Sequence, residues 1–153
     1  MDAELKTALI KIVSDLLIHK GLILNKHGIF DRRASIKWNR EGWDKSGCLE
    51  PFTDVEIDNE AILKAIKLIP LLVKKTTRKG LVGSYGLKHS IEKLISVDGR
   101  GSFLSNGEAI LAMLYKNYTY KISEEGSWNC NFLAEFAKND YQEGTVVEEK
   151  LKF

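Results

Sequence analysis

The chain has 153 residues, 44% of them hydrophobic and 29% charged, which is the size and balance of one globular domain with a core of its own. No apolar run has the length of a bilayer-spanning helix. A formal net charge of +2 selects no class of partner by itself.

The opening MDAELKTALI has an acid at position 2 and mixed charge, unlike a signal peptide. Without an export signal, Cys48 and Cys130 read as reduced thiols of an intracellular protein. Residues 3–19 read as a helix, with Leu5, Leu9, Ile12, Val13 and Leu16 on one face and Gly21 as its stop. From 22 to 47 glycines and a short alternation, Ser35-Ile36-Lys37-Trp38, predict loops with a short hairpin. Residues 58–76 carry the clearest helical arc: Ile62, Ala65, Ile66, Ile69, Leu72 and Val73. If that helix is continuous, Lys64, Lys67, Lys74, Lys75 and Arg78 form a basic stripe on its far side, although Pro70 should kink or divide it. A further helix is expected over 84–97.

Asp98-Gly99-Arg100-Gly101 predicts a turn. Ser105 and Glu108 have capping-box spacing, and the helix they open, AILAMLYKNY, is apolar nearly all round and therefore the most buried. A short helix is predicted from about Asn131 to Lys138, and the charged end 143–153 is expected to be loosely held. The expected fold is mainly α: a single domain of four to five helices over 1–142, with an irregular or short β segment near 22–47.

The charge is unevenly placed. Lys64 to Arg100 holds nine basic and two acidic residues, and Gly101 to the end holds five basic and eight acidic. The acids Asp54, Glu56, Asp58 and Glu60 ahead of the long helix, and the lysines towards its end, also suit the helix dipole.

The stretch GLVGSYGLKHSIEKL, residues 80–94, spaces three glycines three apart. It lacks the G-x-x-x-x-G-K-[ST] of a phosphate loop, and KKTTRK before it is no buried strand. Gly80 reads as a helix stop, Gly83 as a turn, Ser84 as a cap and Gly86 as a point of close approach. A helix start beside Lys74, Lys75, Arg78, Lys79 and Lys88 could still seat one phosphate of a larger polyanion. Ser84-Tyr85-Gly86-Leu87-Lys88-His89 followed by Ser105-Asn106-Gly107-Glu108 is similar to a motif pair of small, poorly characterised proteins of bacteriophages and other viruses. The resemblance covers about a quarter of the chain. It implies a viral or mobile-element accessory protein, placed in a host cell's cytoplasm or nucleus or in the virion, and brings no activity with it.

No metal-ligand spacing links His19, His27, His89, Cys48 and Cys130, and no nucleophile motif is present, so neither metal, cofactor nor enzymatic activity is expected. Two helices in succession, 84–97 and about 106–117, invite a helix-turn-helix reading, but the second is too apolar to face base edges. Phe30, Arg32, Arg33, Lys37, Trp38, Arg40, Trp43 and Lys45 interleave aromatic and basic residues. That composition suits single-stranded nucleic acid, although Trp38 and Trp43 more simply plug the edge of the core.

The function expected from these residues is non-specific nucleic-acid binding by backbone electrostatics. It would use Lys64, Lys67, Lys74, Lys75, Arg78 and Lys79, with Lys88 and Arg100 contributing. The alternative is a protein–protein interaction module using Arg32, Arg33, Trp38, Arg40 and Trp43. A homo-oligomer suits either reading, and no membrane partner is expected.

Overall fold

Asp2 opens the first helix, α1 (Ala3–Lys20), by accepting the Leu5 N–H at 2.8 Å, and Gly21 closes it in a left-handed conformation, φ 64°. The computed structural model describes residues 1–31, 50–77, 81–95, 103–122 and 128–137. Behind Gly21 the chain forms an antiparallel hairpin, β1 (Leu22–Asn25) and β2 (Gly28–Asp31), buried on both faces except at Asp31. This hairpin lies ahead of the Ser35–Trp38 alternation, which is outside the described residues. Neither hairpin edge is open: Leu24 O accepts from Phe52 N at 2.9 Å, and Ile29 N donates to Trp128 O at 3.0 Å.

The single helix expected over 58–76 divides into a helix and a strand, with a separate short turn ahead of it. A short turn, α2 (Asp54–Ile57), is closed at its start by a Thr53–Glu56 capping box. Asn59 then caps α3 (Glu60–Leu72), which carries Pro70 in its last turn and stops two residues later. Val73 leaves it with extended angles, φ −137° and ψ 148°, and starts β3 (Val73–Lys75). After β4 (Leu81–Gly83) come α4 (Ser84–Ile95), α5 (Asn106–Tyr115) and β5 (Tyr120–Ile122). The last described element, β6 (Cys130–Phe136), replaces the helix expected from Asn131 to Lys138.

β6 is the centre of a four-stranded antiparallel sheet. It pairs with β3 through Val73 and Phe136, with β4 through Val82 and Phe132, and with β5 through Tyr120 and Phe132. Leu133 N donates to Thr119 O at 2.9 Å, and Leu133 O accepts from Thr76 N at 3.2 Å. The N–H and C=O of one strand residue point to the same edge. Thus β5 and β3 share one edge of β6, one after the other, and β4 has the opposite edge. Cys130, Phe132 and Ala134 point into the core from β6.

Of the described residues 55% are helical and 23% are strand. The protein is therefore a mixture of helices and two antiparallel sheets, and the mainly α, all-helical expectation is wrong. The periodicity of short strands is easily lost among helical ones, and the pairing of β6 with β3 depends on partners more than fifty residues away in sequence. α5 is the core helix. It packs against α1, α3 and α4, with the hairpin across its start, and seven of its residues are buried. Burial of side chains such as Leu68, Ile69, Ile110 and Phe132 contributes about 1.5–3 kcal/mol each.

Candidate functional site

The two motifs of the sequence resolve first into structure. Ser105 and Glu108 form the capping box: Glu108 N donates to Ser105 Oγ at 3.1 Å, and Ser105 N to Glu108 Oε1 at 2.8 Å. The other carboxylate oxygen, Glu108 Oε2, accepts from Asn59 Nδ2 at 2.7 Å, so one side chain ties the starts of α3 and α5 together. Between them Asn106 Nδ2 donates to His27 O, Trp128 O and Asn129 Oδ1 at 2.9–3.1 Å. Gly107 N donates to Lys26 O at 3.2 Å. The Ser-Asn-Gly-Glu motif therefore joins the hairpin, α3, α5 and the approach to β6.

The Ser84–His89 motif divides between core and surface. Ser84 is fully buried and accepts from Cys130 N at 3.2 Å, tying α4 to β6 rather than capping its own helix. Gly83 is not a turn residue; it pairs with Asn131 in the sheet. Gly86 meets nothing within 4 Å, so no close approach explains it. Lys88 pairs with Glu92 at 2.9 Å and lies over the rings of Tyr85 and Phe103, at 5.3 and 5.7 Å. His89 packs edge-on to Tyr85. Lys88 is thus engaged within α4 rather than contributing to a stripe on α3.

The stripe itself is dispersed. α3 ends before Lys74 and Lys75, which stand on β3 and, as successive strand residues, point to opposite faces. Lys74 pairs with Glu135 of β6 at 2.9 Å. Lys75 turns to the other side, its ammonium 5.3 Å from the centre of the Tyr118 ring. Lys64 and Lys67 remain on α3. Arg78, Lys79 and Arg100 lie outside the described residues, as do the alternative interface residues Arg32, Arg33, Trp38, Arg40 and Trp43, Cys48, the 98–101 turn and the 143–153 tail. Phe30, read with those aromatics, is a buried residue of β2 packed at 4.5 Å on Trp128.

What the structure brings together instead is a groove at the C-terminal ends of α3 and α5. A cleft of about 550 Å³ is lined by Pro70, Lys75, Tyr115, Lys116, Asn117 and Tyr118. A second cleft, of about 440 Å³, shares Pro70, Tyr115 and Lys116 with it and continues to Lys67, Ile66, Leu63 and Asp2. Lys67 and Lys116 line one cleft and Lys116 and Lys75 the other, and the lining has one acid, Asp2, in the cleft with Lys67. Asp2 is already committed to the α1 cap.

The groove floor is held rigidly. α5 ends in a Schellman closure: Tyr118 N donates to Met113 O at 3.1 Å and Asn117 N to Leu114 O at 3.0 Å, with Asn117 left-handed at φ 63°. Tyr118 is buried, its hydroxyl donates to Val73 O at 2.9 Å, and burial raises its phenol above the ordinary range, so it stays a donor. In the sequence Lys116 and Asn117 count among the few polar residues of the helix over about 106–117, and Tyr115 as part of its apolar surface. A Lys-Asn-Tyr run directly after an apolar helix was the available signal.

Elsewhere, the described residues hold no group of three or more His, Cys, Asp or Glu placed to bind a metal, and no helix long and apolar enough to cross a membrane. Burial pushes the Cys130 thiol up to about 12. Iodoacetamide at mildly alkaline pH should therefore modify Cys130 only on unfolding, read by mass spectrometry of the Cys130 peptide; rapid modification of the folded protein would contradict this packing. The sign of its linkage follows: the unfolded thiol ionises first, so the stability from Cys130 is intact below pH 9.0 and is lost as pH rises towards about 12.

No protein-family model, curated protein or solved structure matches this chain.

Proposed function

We propose that the protein is a non-enzymatic nucleic-acid-binding protein that holds a phosphate backbone along the Lys67–Lys116–Lys75 groove. The observation that carries this reading is the line of three lysines on two adjoining clefts whose remaining lining is apolar, aromatic or amide except for Asp2. Each phosphate neutralised by a lysine releases a counterion, so affinity falls as salt rises. The site differs from the continuous stripe of the sequence reading: Lys75 and Lys67 line the clefts, Lys116 joins them, and Lys74 and Lys88 line neither cleft.

Fluorescence anisotropy with labelled DNA and RNA across a salt series tests this. Substituting Lys75→Gln with Lys116→Gln should flatten the salt slope for a single strand by about 1.4, two contacts at roughly 0.7 each. Lys74→Gln should leave the slope unchanged. Equal effects of Lys74→Gln and the double variant, or no binding at low salt, would refute the groove.

A further inference from the structure

Resting on that reading, we infer that the groove takes a single strand, with one base laid on the Tyr115 ring and its edge turned to the Asn117 amide. Tyr115 lines both clefts, half-buried against the core, and Lys116 lines both with it while Lys75 lines the first. Tyr118 is not a second platform, because it is buried, its hydroxyl is bonded to Val73 O, and Lys75 lies over its ring. A base stacks on an aromatic face only when its own neighbours have left that face free, which a duplex does not permit. The larger cleft, at about 550 Å³, is within the usual range of ligand sites, ~300–1,000 Å³.

Asn117 supplies the second observation. The left-handed position after a helix is taken mostly by glycine and, among the other residues, by asparagine. Here it carries an amide, exposed at the lip of the cleft, that makes no hydrogen bond among the described residues. An amide offers a donor and an acceptor together, the pattern that base edges present. The turn accepts glycine or asparagine, and the asparagine found here also places an exposed amide at the cleft.

That difference makes the test clean. Asn117→Gly keeps the backbone conformation and removes the amide. Anisotropy titrations would compare a single strand, its duplex and an abasic strand of equal length, with wild type, Asn117→Gly and Tyr115→Leu. Wild type should prefer the single strand to both other probes by tenfold or more. Tyr115→Leu should lose about 5- to 150-fold on the single strand and little on the abasic one. Asn117→Gly should melt no lower than wild type and bind the single strand several-fold more weakly. If Asn117→Gly binds as wild type does, or the abasic strand binds as well as the single strand with the salt slope intact, base contact is refuted and the electrostatic reading stands. If no probe binds at low salt, the electrostatic reading fails first. Should Tyr115→Leu misfold, Asn117→Gly and the abasic comparison still decide.

Discussion

Replacing Gly107 with alanine should destabilise the protein by about 3 kcal/mol or more, while Gly86→Ala should stabilise it by about 0.5–1 kcal/mol. The two glycines belong to the two motifs, and both sit in the first turn of a helix. Their surroundings are opposite. A methyl group at Gly107 would fall 1.6 Å from Asn25 O, 2.6 Å from the carbonyl carbon of Asn25 and 3.1 Å from the Lys26 Cα. Those atoms are backbone in the hairpin turn and cannot rotate away. The start of α5 would have to part from the hairpin, losing the Gly107–Lys26 and Asn106–His27 hydrogen bonds. At Gly86 a methyl group meets nothing within 4 Å and gains only helix propensity. Urea denaturation of both variants checks the pair; equal stability would mean that α5 does not press on the hairpin.

The second large effect is expected at Asn106. Asn106→Leu keeps the branched shape and the number of side-chain heavy atoms and removes a donor shared by three acceptors at a residue only 8% exposed. Trp128 O retains the Ile29 N–H, so the loss falls chiefly on His27 O. Losing hydrogen bonds of this part-buried kind costs about 1–2 kcal/mol. Asn106→Asp should be worse near neutral pH, since a carboxylate would face two carbonyl oxygens and an amide oxygen. Protonation restores a donor, so the folded state raises the pKa of that new carboxyl. Stability of the Asn106→Asp variant should therefore improve as pH falls and decline as pH rises. Denaturation of both variants at acidic and neutral pH measures this; indifference of the aspartate variant to pH would contradict the contacts assigned to Asn106.

How much of this was legible follows from the range of each interaction. Helix caps are local, and the Ser105–Glu108 box was readable because both partners lie within one turn. The burial of α5 was readable from its apolar circumference. The reason for Gly107 was not, because the atoms it avoids are eighty residues earlier. β6 misled because Phe132, Leu133, Phe136 and Ala137 repeat at helical spacing while Cys130, Phe132 and Ala134 alternate; pairing with three strands, two of them distant in sequence, decides between them. The same strand undid the basic stripe. By drawing Val73–Lys75 into the sheet it ended α3 early, gave Lys74 to Glu135 and turned Lys75 to the groove. A lysine's neighbours in sequence therefore did not show which lysines share a surface, and Lys116 was missed because its partners in the groove come from α3 and β3.

The most direct measurement is a backbone NMR titration of the intact protein with a short single-stranded oligonucleotide at low salt. Shifts concentrated at Lys67, Lys75 and Tyr115–Tyr118, fading as salt is raised, are expected. Shifts centred instead on Tyr85, Lys88, His89 and Phe103, or none at any concentration, would contradict a nucleic-acid site in this groove.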